Sequence, residues 1–177
     1  MKPAKTAYFV LGPESSGTRM LTEALCRCGI YGDAGHVQRM DDLDFAKTPE
    51  RIVFRRSLPH GGATARHWPA IAGIVLRMRE AGYRVVPILI LRDLDATVKS
   101  QVAFPHVPNE AEARYNVQYA VQHALSQLAQ VGLWPVVVPY EPFVRDARVR
   151  EQFFHHLELP VPDMSFFDAN EKYRSSR

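Results

Sequence analysis

Cysteine is nearly absent from this chain of 177 residues, where only Cys26 and Cys28 occur. Thiols two residues apart on a helical segment point away from each other, which excludes a disulfide framework and leaves a metal site short of ligands. Such sparse cysteine predicts core or boundary residues in a reducing compartment. Long apolar runs are missing as well. The stretch Ala7 to Leu11, after the basic start Met1-Lys2-Pro3-Ala4-Lys5, is too short for a signal sequence. Nothing approaches the roughly 18 to 20 apolar residues of a membrane span. The sequence therefore predicts a complete cytoplasmic chain with no membrane partner. A strong charge of one sign is also lacking: 22 basic and 19 acidic side chains leave a formal net charge of +3. That excess favours an anionic ligand but is too small to predict a nucleic-acid partner.

What is present is ordinary globular composition, 46% hydrophobic and 23% charged, which excludes disordered and fibrous classes. The length fits one domain over residues 1–177, with a core that needs no disulfide or structural metal.

The apolar run Ala7–Leu11, stopped by Gly12 and Pro13, predicts a strand buried on both faces of a parallel sheet. Met20, Leu21, Ala24, Leu25 and Cys28 then recur at helical spacing, with Gly29 as the stop. Residues 31–50 are polar, and the acidic cluster Asp41, Asp42 and Asp44 reads as a solvated loop or helix start. A second strand fits Arg51–Arg55, ending in a loop of breakers from Arg56 to Gly62. A helix is predicted from Trp68 to Ala81, with Ile71, Ile74, Val75 and Met78 facing inward.

Arg84–Leu91 is the most apolar strand and should lie centrally, with Pro87 placed at its start or at a bulge. Helices follow over 93–103 and 109–131, the second with a stripe of Val117, Val121, Ala124, Leu125, Leu128 and Val131. A short strand over 135–139 and a helix near 144–157 complete the pattern. Strands alternating with helices at this spacing predict an α/β domain, a parallel sheet flanked by helices on both faces.

The first strand runs into Gly12-Pro13-Glu14-Ser15-Ser16-Gly17 and then a helix. Glycines at both ends of such a loop let backbone N–H groups converge on phosphate oxygens, and the helix N-terminus adds partial positive charge. Ser15, Ser16 and Thr18 add hydroxyl donors. The same letters also fit a plain turn followed by an N-cap cluster. In the nucleotide-hydrolase form of this loop a lysine follows the second glycine. Here Gly17 is followed by Thr18 and Arg19, which weighs against ordinary ATP hydrolysis.

The run Ser15-Ser16-Gly17-Thr18-Arg19-Met20-Leu21 resembles the 5′-phosphosulfate loop of the sulfotransferases. A second stretch, Leu89-Ile90-Leu91-Arg92-Asp93 followed by Ser100, resembles that family's 3′-phosphate motif. An Arg at a strand's C-terminal end and a Ser two turns into the next helix can converge on one phosphate. Fainter similarities lie at Val53–Pro59, at Tyr140-Glu141-Pro142-Phe143-Val144, and at Asn170-Glu171-Lys172-Tyr173, where some members place a basic loop near the cofactor.

The resemblance implies a P-loop sulfotransferase-like fold. It also implies an enzyme using 3′-phosphoadenosine 5′-phosphosulfate as co-substrate, with no metal, acting on a small-molecule or glycan acceptor. The implied cofactor-binding residues are Gly12, Ser15, Ser16, Gly17, Thr18, Arg19, Arg92, Ser100 and Lys172. Ser15 stands where the family keeps a cation, and Ser57 where cytosolic members keep the basic histidine.

Open sheets place ligands at the C-terminal ends of strands, which makes Arg55 and Arg56 candidates for the missing cation. His60, three residues after Ser57, is the candidate base, with Glu14 as an alternative acid–base group. His36, His106 and the pair His155-His156 have no motif context and read as surface or boundary residues. Two other functions fit the letters. One is a small P-loop kinase or nucleotide phosphotransferase with Asp93 as its metal partner; the other is a non-catalytic nucleotide-binding relative. The acceptor would be chosen by loops 31–50, 59–67 and 104–112, whose composition names none. Composition does not predict an oligomeric state.

Overall fold

The computed structural model describes residues 5–32, 49–60, 67–104 and 107–174. His36, Asp41, Asp42, Asp44, Gly61, Gly62 and His106 lie outside the described residues. Most of loops 31–50 and 59–67 does so too.

Strands β1 (Lys5–Pro13), β2 (Arg51–Leu58), β3 (Tyr83–Leu91) and β4 (Val136–Pro139) form one sheet in the order β2-β1-β3-β4. Every pairing is parallel. Parallel neighbours need crossovers, and α1 (Thr18–Arg27), α2 (Ile71–Glu80), α3 (Leu94–Ala103) and α4 (Glu110–Gln130) lie within them. After β4 come α5 (Tyr140–Arg145), α6 (Ala147–His156) and the single turn α7 (Glu171–Arg174).

The two-residue period of a strand divides the core into two layers. Tyr8 and Val10 of β1 pack with Leu21 and Leu25 of α1 and Phe143, Phe153 and Phe154 of α5 and α6. Ala7, Phe9 and Leu11 turn the other way, onto Ile71, Val75 and Met78 of α2 and Ala120, Ala124 and Leu128 of α4. With helices on both faces, β1 has no polar side, which is why its letters read as a continuous apolar run. A smaller cluster of Val98, Val107, Ala113 and Val117 joins α3 to α4.

Several local expectations need correction. Pro87 sits inside β3, opposite Phe9 of β1, rather than at its start or at a bulge. β4 joins β3 only from Ile88 onward, so on that side Pro87 interrupts no ladder. Strand β2 continues through Arg56 and Ser57 to Leu58, because Leu11, Gly12 and Pro13 of β1 keep pairing with it. Helix α2 starts at Ile71, not Trp68. The helix expected near 144–157 is two helices. Asp146 is extended and its carboxylate accepts from Arg148 N, so it ends α5 and caps α6.

His155 and His156 are both exposed. Cys28 is half-buried, its thiol donating to the carbonyls of Ala24 and Pro160. Burial, more than any neighbouring charge, raises its pKa to about 11, so it stays protonated at neutral pH. No helix among the described residues is long and apolar enough to cross a membrane.

Candidate functional site

The chain leaves β1 for β2 on one side and later places β3 on β1's other side, so the sheet order reverses between β1 and β3. At such a reversal the loops beyond the strand ends diverge and open a crevice. Here the crevice is a cleft of about 690 Å³, lined by Ser15 and Gly17 after β1 and by Arg92 and Ser100 after β3. Tyr140 after β4, Ser165, Lys172 of α7 and the exposed Glu23–Arg27 ion pair of α1 add to the polar part of the wall. Its volume falls within the roughly 300–1,000 Å³ typical of small-molecule sites.

The β1–α1 loop holds its shape through close backbone contacts. A Cβ on Gly12 would stand 2.5 Å from Ser16 Oγ and 2.7 Å from the Ile90 carbonyl oxygen, so only glycine fits. Ser16 N donates to Pro13 O, closing a turn in which Ser15 adopts a left-handed φ of 67°. Gly17 has φ 101°, and a Cβ there would lie 2.8 Å from the Tyr140 ring. Helix α1 then begins with no side-chain cap, which leaves its first-turn N–H groups to water or a ligand.

Among the cations that line the cleft, Arg27, Arg92 and Lys172, Arg92 is the one bonded to two of its walls. Its Nη1 donates to Ser15 O at 2.7 Å and its Nε to Asn170 Oδ1 at 2.6 Å. The guanidinium lies 5.1 Å from the centre of the Tyr140 ring and 5.9 Å from that of Tyr173. Nη2 is buried and meets no hydrogen-bond acceptor among the described residues. An orphaned charged donor beside a cleft is costly unless something negative completes it. Ser100 lies on the α3 wall, and the Lys172 ammonium is held 5.2 Å from the Phe104 ring centre at the rim.

The far wall is the segment 164–172, which contributes Met164, Phe167 and Lys172. Tyr140 fastens it, its hydroxyl donating to Phe167 O at 3.1 Å and accepting from Ala169 N at 3.0 Å. Burial raises the Tyr140 pKa, which keeps that donor protonated. Asp168 pairs with Arg145, whose Nε lies 2.7 Å from Oδ2. Glu141 Oε1 accepts from Asp93 N at 2.9 Å and from Asn170 Nδ2 at 2.6 Å. Sequence reasoning noted the Tyr140-Glu141 and Asn170-Glu171-Lys172-Tyr173 stretches but not Asn170's contact with Arg92. That contact joins residues 78 apart and leaves no periodic trace.

Ser15, Gly17, Arg92, Ser100 and Lys172 thus meet in one cleft. The other expected ligand-binding residues serve the loop or lie elsewhere. Gly12 is packed beneath the loop, and the Ser16 hydroxyl is buried there without a hydrogen-bond partner among the described residues. Ser16's amide is spent in the turn, so Ser16 offers the cleft neither donor. Thr18 is buried and Arg19 exposed, and neither lines the cleft.

Glu14, Arg55, Arg56 and His60 also lie outside the cleft lining. Glu14 is buried; its amide donates to Leu58 O and its carbonyl accepts from Gln101 Nε2. Arg55 and Arg56 are neighbours on a strand and start toward opposite faces of the sheet, so adjacency does not direct them to one anion. Arg56 is buried over the Phe54 ring, 4.0 Å from its centre, and donates to Arg55 O. Burial first, then the Arg55 charge, lowers its pKa to about 10.

His60 pairs through its backbone with His67, and the two rings meet edge-on at 5.4 Å. Burial, followed by Arg56, His67 and Arg55, lowers the His60 pKa to about 4. The imidazole is therefore neutral at pH 7. Asp93 caps α3, its Oδ1 accepting from Ala96 N, and faces a separate cleft with Asp95, Lys99 and Glu141.

No protein-family model matches the chain. No curated protein matches its sequence.

Proposed function

We propose that the protein is a sulfotransferase that moves the sulfuryl group of 3′-phosphoadenosine 5′-phosphosulfate to a hydroxyl or amine acceptor. The observation that carries this reading is the meeting of Ser15, Gly17, Arg92, Ser100 and Lys172 in one cleft, from three distant stretches of chain. The two stretches that resemble the family's phosphate motifs thereby face the same space. The Arg92 and Lys172 cations that line this cleft support an anionic occupant.

In this reading Arg92, Ser100 and Lys172 hold the 3′-phosphate, and the loop backbone at Ser15 and Gly17 faces the 5′-phosphate. The apolar wall of Met20, Phe104, Met164 and Phe167 suits a flat base. The donor supplies an activated sulfuryl group. A bond forms from acceptor oxygen or nitrogen to sulfur while the sulfur–oxygen bond to the 5′-phosphate breaks, leaving adenosine 3′,5′-bisphosphate. Loop amides stabilise the charge gathering on the leaving phosphate.

His60 does not line the cleft, so in this reading it takes the acceptor's proton only where the acceptor extends from the cleft to the end of β2. An imidazole with a pKa of about 4 is free to accept a proton at pH 7, but it is a weak base. It would take that proton late, once bonding to sulfur has made it acidic. Asp93, the metal partner that a kinase reading requires, caps α3 through Oδ1 and lines the separate cleft rather than this one.

Calorimetry with adenosine 3′,5′-bisphosphate tests the reading. Binding that exceeds binding of adenosine 5′-phosphate, and that is lost in Arg92→Ala, is expected. Equal binding of both nucleotides, or of ATP with magnesium in preference, would overturn it.

A further inference from the structure

Asn170 is 3% exposed and stands between two opposite charges. Its Oδ1 accepts from Arg92 Nε at 2.6 Å, and its Nδ2 donates to Glu141 Oε1 at 2.6 Å. A guanidinium has no acceptor and an ionised carboxylate has no donor, so these partners fix the amide in one orientation. No residue without both functions could make the two bonds. Asn170 N also donates to Asp168 Oδ1, which seats the residue in the 164–172 wall.

We infer that Asn170 is a positioning residue that holds Arg92 in the cleft as an uncompensated cation, a neutral amide keeping Glu141 from pairing with it. This rests on the cleft being an anion site. A direct Arg92–Glu141 pair would hold the side chain equally well but would neutralise it, and an incoming phosphate would then compete with an internal carboxylate. Through Asn170 the guanidinium keeps both its position and its charge. The same amide ties the 164–172 wall to the cation, so loss of Asn170 disturbs Arg92 and the wall together. Glu141 is not idle: it receives Asp93 N and Asn170 Nδ2 and orients the spacer.

Asn170→Asp is the discriminating variant because the two side chains have one shape. Around position 170 lie Arg92 and Asp93 after β3, and Tyr140, Glu141 and Arg145 of α5. Asp168 precedes it, and Glu171, Lys172 and Tyr173 of α7 follow. When ionised, the introduced carboxylate would pair with Arg92 and repel Glu141. When protonated, it would donate to Glu141 and accept from Arg92, as the amide does. Binding of adenosine 3′,5′-bisphosphate is measured between pH 5 and 8 and expressed as the ratio of wild-type to variant affinity, with Asn170→Ala run in parallel to report the titration of the probe.

The expected ratio is about tenfold or more at pH 8, falling to about twofold or less at pH 5. Asn170→Ala should show a deficit that does not change with pH. Thermal unfolding of each variant verifies the fold, and at pH 5 the protonated form of Asn170→Asp keeps both bonds. Wild-type affinity of Asn170→Asp at pH 8, or a deficit constant with pH, would overturn the assignment. Inorganic pyrophosphate serves as a second probe. Arg92-dependent pyrophosphate binding without preference for the nucleotide would end the sulfotransferase reading, and the same ratio measured with pyrophosphate would still decide the role of Asn170. No Arg92-dependent binding of either probe by the wild-type protein would overturn both.

Discussion

Two groups of arginines stand at the C-terminal edge of the sheet, and they are held in different ways. Arg92, after β3, has hydrogen-bond partners on two chain segments, lies near two aromatic rings and borders open space. Arg56, on β2, is buried over Phe54, bonded to the carbonyl of its own neighbour and weakened by the adjacent Arg55 charge. The first arrangement spends protein contacts on aiming a charge at a ligand. The second shelters a charge from water over a ring and against its own backbone. Residue type alone does not separate them; what the rest of the fold places around each guanidinium does.

The most direct way to break that comparison is to remove the two charges in turn. Arg92→Ala should lower affinity for adenosine 3′,5′-bisphosphate about 100-fold, whereas Arg56→Met should change it by less than about threefold, both by calorimetry. Equal losses would dissolve the distinction. A smaller effect is expected from Tyr140→Phe, which removes two of the hydrogen bonds that fasten the 164–172 wall. Its unfolding free energy in denaturant should fall by about 1–2 kcal/mol. On the β2 side, Arg56→Met should stay within about 1 kcal/mol of wild type or exceed it, since a methionine of similar length fills the site without a desolvated charge.

The subtlest expectation concerns pH. His60 titrates near 6.5 when unfolded and about 4 when folded. Between those values the unfolded chain binds the extra proton, so the stability contributed by the neutral imidazole is complete above pH 6.5 and lost as pH falls toward 4. His60→Gln should flatten that acid limb in equilibrium unfolding. An unchanged limb would place the pH dependence elsewhere.

The elements that run with one period were legible from the letters alone. β1, α1, β3, α3 and α4 announce themselves because each buries a regular set of side chains, and Gly29 marks its helix end through a φ of 80°. Breaks in period were harder. Asp146 divides α5 from α6 by a cap that one letter cannot advertise, and Pro87 is tolerated mid-strand only because β4 starts one residue later. The candidate site was half legible for a related reason. Ser15, Gly17 and Arg92 follow strand ends and Ser100 lies in the next helix, where the alternation of elements foretells a crevice. Ser16 reads like Ser15 but turns beneath the loop, because the left-handed residue before it reverses the chain. Tyr140 and Asn170 matter through contacts with segments far away in sequence, which spacing does not encode.

The cleft draws its walls from the loop after β1 and from residues 164–172. Protein chains emerge N-terminus first, so a growing chain acquires the loop early and the Asn170 latch on Arg92 late. Chains halted before Met164 would carry all four strands of the sheet yet lack the wall that completes the cleft. Any ligand that needs this wall then recognises only the finished fold, and its binding energy adds to the stability of that state alone.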